Sequence, residues 1–214
     1  MFGFITETWN PITGCLHDCY NGRCWARIMC NRFGRRWGYG FQPTFHPERL
    51  NRKFKPDRLV FTVSMGDLFG SWVKTEHIKA VLDVIDTNRM TRFFLETKNP
   101  RRYLEFEIPE NTVISTTIET NRSYSVSKAP PVHERYSAFK QLGGLKHVSV
   151  EPIMDFDLDI LVDWIGKMNP SIVSIGYDNY GAGLPEPPVS KTVKLIEAVK
   201  DIGIAVEVKS LRKR

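Results

Sequence analysis

Residues 59–97 read L-V-F-T-V-S-M-G-D-L-F-G-S-W-V-K-T-E-H-I-K-A-V-L-D-V-I-D-T-N-R-M-T-R-F-F-L-E-T, and this stretch decides the fold. It opens on a short apolar, β-branched run (59–64). It continues into a helix over 75–89, with Ile78, Val81, Leu82 and Ile85 at helical spacing, and returns to a strand over 92–97. Strand, helix, strand with short joints is a βα repeat. The pattern carries on outward. Strands are expected at 112–118, 147–151, 171–176 and 204–209, and helices at 100–106, 132–142, 158–168 and 191–201. The 100–106 helix is opened by a proline, and the 132–142 helix is ended by Gly143 and Gly144. A first strand within residues 2–8 brings the number to seven. Near-continuous apolar strands indicate a parallel sheet buried on both faces. No G-x-G-x-x-G follows the first strand, which weakens a dinucleotide-binding open sheet. A full eight-stranded barrel usually needs about 250 residues. The expected fold is α/β: a partial or compact (β/α) barrel of about six to seven parallel strands, forming a single domain over residues 1–214.

In such barrels the active site sits at the C-terminal ends of the strands. Those ends carry Ser64, Met65, Gly66 and Asp67; then Glu96, Thr97, Lys98 and Asn99; then Thr117, Glu119, Thr120 and Asn121; then Ser149 and Glu151; then Tyr177, Asp178 and Asn179; and finally Glu207 and Lys209. A carboxylate or lysine at six successive ends needs partners in a partly desolvated mouth. Those partners are a ligand or one another, as in a ring of ion pairs such as Lys98 with Glu119 or Glu151. The set as a whole is read as facing a ligand.

Between the expected first strand and the helix after it lies W-N-P-I-T-G-C-L-H-D-C-Y-N-G-R-C-W-A-R-I-M-C (9–30), which holds all four cysteines, Cys15, Cys19, Cys24 and Cys30. Clustering argues against a disulfide framework, which would staple distant loops. Thiolates this close in sequence select zinc, copper(I) or an iron–sulfur cluster. Reduced thiols and the lack of a basic, apolar N-terminal leader point to the cytoplasm. No run approaches the roughly 20 apolar residues of a membrane span.

The net charge is +6. Residues 32–58 carry Arg32, Arg35, Arg36, Arg49, Arg52, Lys53, Lys55 and Arg58, interleaved with Phe33, Trp37, Tyr39, Phe41, Phe45 and Phe54, and the chain ends K-S-L-R-K-R. Basic side chains among aromatics suit nucleic acid, since phosphates take the charge and bases stack on rings. A solvated face with inward-packed rings is the plainer alternative. The region of about 31–58 reads as a basic, aromatic insertion.

The cysteine loop after strand one resembles that of the radical S-adenosylmethionine (SAM) superfamily. The segments W-N-P-I-T-G-C (9–15), F-H-P-E-R-L (45–50), S-M-G-D-L-F-G (64–70), T-K-N-P-R-R-Y-L (97–104) and S-V-E-P-I (149–153) are more closely similar to a phage and prokaryotic family related to it. The resemblance implies a [4Fe–4S] cluster on Cys15, Cys19 and Cys24, with one iron left open for SAM. It implies SAM contacts at Ser64, Met65, Gly66 and Asp67, at Lys98, at Thr117 and Glu119, and at Glu151, with Tyr20 and Trp25 near the adenine. It also implies a reductant such as flavodoxin or ferredoxin. The superfamily's usual spacing is C-x3-C-x2-C. Here it is C-x3-C-x4-C, and a tight turn at Asn21-Gly22 is expected to absorb the two extra residues. Cys30 is expected as a buried small side chain on the first helix. Substituting for the third ligand and closing the fourth site are its other open roles.

Three functions follow as expectations. The first is a radical SAM enzyme of unknown substrate, nucleic acid or nucleotide leading. The second is a non-catalytic metal protein, zinc or iron–sulfur, that binds nucleic acid, with His17 or His46 as added ligands. The third is a metal-free barrel enzyme using Lys98 or Lys209 as an amine nucleophile and Asp67 with Glu119 as acid and base.

Overall fold

The computed structural model describes residues 2–37 and 40–212, with the backbone alone for 34–37. Seven parallel strands form one sheet: β1 (Glu7–Trp9), β4 (Leu59–Thr62), β5 (Arg92–Thr97), β6 (Thr112–Thr117), β7 (Leu145–Val150), β8 (Ile172–Gly176) and β9 (Ala205–Ser210), in the order β1-β4-β5-β6-β7-β8-β9. A small antiparallel pair, β2 (Ile12–Thr13) with β3 (Thr44–Phe45), stands apart. The helices are α1 (Trp25–Trp37), α2 (Thr75–Thr87), α3 (Val132–Phe139), α4 (Leu158–Met168) and α5 (Val189–Asp201).

Alternation along each strand sorts the two faces. Val60, Phe93, Leu95, Ile114, Val148, Val150, Val173 and Ile175 point outward into one apolar core with Ile78, Val81, Leu82 and Ile85 of α2, Leu161 and Ile165 of α4, and Leu195 and Val199 of α5. The alternate residues face inward. There the ring of Phe2 lies 6.1 Å from that of Phe61 on β4, 5.2 Å from Phe94 on β5 and 4.8 Å from His147 on β7, with Lys209 Nζ of β9 4.3 Å above it. In a flat sheet β4 and β9 would stand about 24 Å apart, at about 4.8 Å per strand step. One ring can touch both only because the sheet curls. The fold is a curled half-barrel, as expected.

Three local differences from the sequence reading have physical causes. Residues 2–5 plug the concave face with Phe2 and Phe4 instead of forming the first strand, which begins at Glu7. β4 stops at Thr62 because Val63 takes a left-handed backbone (φ 61°), which turns Ser64–Asp67 into a loop. Such a φ is an outlier for a β-branched residue. It is held by Val63 N–H donating to Trp9 O at 2.7 Å. Pro100–Glu105 closes as a 3₁₀ turn, pinned by the Tyr103 hydroxyl donating to Leu95 O at 2.7 Å. No helix among the described residues is long and apolar enough to cross a membrane.

Candidate active site at the strand ends

The W-N-P-I-T-G-C motif ties β1 to β4. Trp9 is buried and donates its indole N–H to Arg49 O at 2.9 Å. Asn10 Oδ1 accepts Met65 N–H at 2.8 Å. Thr13 Oγ1 meets His46 Nε2 at 2.9 Å. Gly14 has φ +81°, and a Cβ there would fall 2.2 Å from Gln42 O; a Cβ on Gly66 would fall 2.8 Å from Gly14 O. Only glycines let these two strand-end loops touch. F-H-P-E-R-L supplies the partners of Trp9 and Thr13, and S-M-G-D supplies those of Asn10 and Gly14.

Asp67 closes this knot. Its carboxylate accepts from Phe69 N–H (2.9 Å), the Thr97 hydroxyl (2.7 Å), His17 Nε2 (2.9 Å) and Lys98 N–H (3.0 Å). Four donors fill its acceptor sites. Burial raises its pKa, but these bonds, that of His17 first, hold it below the usual carboxylate value.

From Gly14 the chain enters the cysteine loop. The two extra residues between Cys19 and Cys24 are absorbed by left-handed backbone at Tyr20 (φ 57°), Asn21 (φ 54°) and Gly22 (φ 78°), a longer left-handed stretch than an Asn-Gly turn alone. Each non-glycine residue in that region costs about 1–2 kcal/mol. The twist sends the Tyr20 side chain inward. Its hydroxyl donates to Glu119 Oε1 at 2.6 Å and accepts from Lys98 Nζ at 2.6 Å. Lys98 also pairs directly with Glu119, and Arg135 Nη1 of α3 lies 2.9 Å from Glu119 Oε2. Burial raises the Glu119 carboxyl, yet Arg135 and Lys98 bring it down to about 2. Arg135 was not legible as a site residue. Its one signal is a basic side chain among the apolar positions Val132, Tyr136 and Phe139.

These elements enclose a cavity of about 410 Å³ at the strand C-termini. Cys15, Cys19 and Cys24 line it, with Tyr20, Trp25, Ser64, Gly66, Asp67, Lys98, Thr117 and Glu151. His17, Arg23, Phe41, Glu96, Tyr180 and Phe2 line it too; of these the sequence reading singled out Glu96 for this mouth and His17 as an added metal ligand. Met65 and Glu119 are not in the lining; Met65 packs under Ala26 and Cys30. Glu151 pairs with Lys209. Loops after β6 and β8 cover the cysteine loop: Tyr20 N–H donates to Val126 O at 2.6 Å, Lys128 N–H to His17 O at 2.6 Å, and Arg23 Nη1 to Tyr180 O at 3.1 Å.

Among the described residues no three His, Cys, Asp or Glu side chains gather tightly enough to hold one metal ion. A four-iron cluster asks for something else, one thiolate per iron from ligands spread around a cube. The donor set fits that demand: three thiols, no carboxylate bound among them, on one cavity. Burial pushes Cys19 up to about 12, and burial and then Asp67 push Cys15 higher still, so a cluster bound there would have to displace their protons. Cys30 is buried outside the cavity and its thiol donates to Gly40 O at 2.7 Å. A tetrahedral zinc site of four cysteines is therefore not assembled.

The basic insertion divides. Arg49 donates to Asn10 O at 2.8 Å, and Arg52 donates to Thr8 O at 2.6 Å and pairs with Glu7. Phe54 packs on Trp9 at 5.2 Å, and Phe45 stacks on His77 at 4.0 Å. These follow the plainer alternative of inward packing. Phe41 lines the cavity with Arg27 over its ring at 5.4 Å. The side chains of Arg35, Arg36 and Trp37, all of Tyr39, and Lys213 and Arg214 of the tail lie outside the described residues.

The family described as protein of unknown function (DUF5131) matches residues 2–167, and the chain belongs to it. No curated protein matches the chain in sequence. Among solved structures it is similar to a spore photoproduct lyase variant with bound AdoMet and a dinucleoside spore photoproduct (12% identity, TM-score 0.58, 94% of this chain and 62% of that one). It is similar to a second variant of that lyase (11% identity, TM-score 0.64, 92% and 74%). A radical SAM methyltransferase from Sphaerobacter thermophilus also matches (14% identity, TM-score 0.56, 100% and 68%). These neighbours are radical SAM enzymes, and the likeness is one of fold. The chain spans about six-tenths of the length of the first of them.

Proposed function

We propose that this chain is a radical SAM enzyme. The observation that carries the reading is selective: three of the four cysteines, and not the fourth, face one cavity at the strand C-termini beside the Ser64–Asp67 loop. Cys15, Cys19 and Cys24 would hold a [4Fe–4S] cluster. Bound there, the cluster supplies the electron that cleaves SAM and starts radical chemistry.

The chain's own residues divide the remaining work. Gly66 lines the cavity with its loop held against Gly14, and the backbone of that loop would face SAM's polar end. Asp67, already filled by four donors, holds that loop and orients His17 rather than binding SAM itself. Lys98 and Thr117 offer a cation and a hydroxyl at the strand ends, and Glu119 keeps Lys98 in place from behind. Tyr20 is committed to Glu119 and Lys98, which leaves Trp25 as the aromatic for the adenine. A reductant such as flavodoxin or ferredoxin would approach the cysteine loop, where Leu16 is 45% exposed. Arg23 and Tyr180 at the mouth suit a nucleotide or nucleic acid substrate, offering charge for phosphate and a ring for stacking.

The experiment is SAM cleavage by the anaerobically reconstituted, reduced protein, with and without oligonucleotides. Formation of 5′-deoxyadenosine supports the reading. Its absence under both conditions rejects it and leaves an iron–sulfur nucleic-acid-binding protein as the better account.

A further inference from the structure

Below the thiols the concave face carries a second polar layer that the cofactors do not need. Ser115 Oγ lies 2.8 Å from His147 Nδ1, His147 Nε2 lies 2.9 Å from Ser174 Oγ, and Ser174 Oγ lies 2.5 Å from Glu207 Oε2. At one end Glu96 Oε1 stands 3.4 Å from Ser115 Oγ, and Glu96 lines the cavity. At the other end half-buried Glu207 accepts Gly3 N–H at 2.7 Å, beside solvent. The row crosses five adjacent strands. Register places Glu96 opposite Ser115, Ser115 opposite His147, and Ser174 opposite Glu207.

Counting protons shows what the row can do. Each serine has one hydroxyl proton. His147 is fully buried, and burial, then Lys209, pushes its pKa down to about 3, so its ring carries one. If Glu207 is ionised, Ser174 donates to it, His147 Nε2–H donates to Ser174, Ser115 donates to His147 Nδ1, and Glu96 must hold a proton to bond Ser115. If instead Glu96 is ionised, every bond reverses and Glu207 holds the proton. Any mixed arrangement leaves two protons, or two lone pairs, facing each other. The charged groups bearing on this choice are Lys209, Lys98 and Glu151 around Glu96 and Lys209 beside His147.

We propose that the Glu96–Ser115–His147–Ser174–Glu207 row is a proton relay between the cavity floor and solvent, with Glu96 as its catalytic end. Inward transfer starts from the second arrangement, with Glu96 ionised and Glu207 protonated: Glu96 takes the Ser115 proton, Ser115 that of His147 Nδ1, His147 Nε2 that of Ser174, and Ser174 that of Glu207, which yields the first arrangement. The Glu96 O–H bond then breaks as its proton passes to a substrate atom. A second proton waits until Glu207 has taken one from water and the hydroxyls and the His147 tautomer have turned back. The reverse sequence carries a proton out, and no electron moves. The 3.4 Å link exceeds an ordinary O–H···O bond by about 0.5 Å, so transfer there waits for the two oxygens to close up. The proposal rests on the radical SAM reading only in assigning the proton to a substrate.

The test follows the Glu96 carboxyl by infrared spectroscopy after a pH jump, in the full chain with S-adenosylhomocysteine closing the cavity. The band is identified by its loss in Glu96→Gln. In Ser174→Ala, deprotonation of Glu96 is expected to slow by on the order of tenfold or more, with the end point unchanged. Equal rates would overturn the relay, since a merely structural row does not set a rate. If Ser174→Ala does not fold, Glu207→Gln at the rim is read with the same two outcomes. Binding of S-adenosylhomocysteine is measured separately by calorimetry. If it does not bind, the cofactor reading fails, and the same rate comparison in its absence still decides the relay.

Discussion

The cavity has two polar layers built from the same residue types, and they behave oppositely. In the upper layer the carboxylates are held in one way only: Asp67 by four donors, and Glu119 by hydrogen bonds from Tyr20 and Lys98 and by the charge of Arg135. In the lower layer neutral hydroxyls and one imidazole join two carboxylates, and the row can be satisfied in two ways. Fixed ion pairs make a frame that holds the cysteine loop against the strand ends. A row with a movable proton makes a poor frame and a good conduit. Charge within a buried network favours rigidity, and hydroxyls that both give and accept favour exchange.

The contrast predicts unequal damage. Glu119→Ala leaves buried Arg135 and half-buried Lys98 without their carboxylate and should cost about 3–5 kcal/mol in urea unfolding. Glu96→Gln keeps the size and a donor for Ser115 and should cost about 1 kcal/mol. Equal costs would erase the distinction between the layers.

The layers should also respond to pH with opposite sign. Glu119 is lowered from 4.5 to about 2, so its stabilisation is complete above pH 4.5 and is lost as pH falls toward 2. Burial raises Glu96 from 4.5 to about 7, offset in part by Lys209 and Lys98, so stability falls as pH rises through that interval. Each limb is on the order of 3 kcal/mol. Melting temperature against pH should lose its acid limb in Glu119→Gln and its limb toward neutrality in Glu96→Gln. The smallest effect is expected at Cys30, outside both layers. Cys30→Ala should cost about 1 kcal/mol and leave iron content unchanged, whereas alanine at Cys15, Cys19 or Cys24 should abolish iron binding.

Much of the outer core was legible because helical spacing such as Ile78, Val81, Leu82 and Ile85 recurs between apolar strands. The strand-end residues were legible as a set for the same reason: once the strands are placed, their ends follow. The motif glycines could be seen but not explained, since the closeness of Gly14 to Gly66 joins residues 52 positions apart. The lower row was invisible for a similar reason. Ser115, His147 and Ser174 look like ordinary strand residues until register brings them together. Phe2 read as part of a strand because an apolar terminus and a plug share one composition.

The central claim is that Cys15, Cys19 and Cys24 hold a cluster with one open iron. It is tested most directly by iron and sulfide analysis with an EPR spectrum of the dithionite-reduced, anaerobically purified protein, with and without SAM. The account predicts a reduced [4Fe–4S] signal that changes when SAM is added. Stoichiometric zinc, or a cluster signal indifferent to SAM, would contradict it.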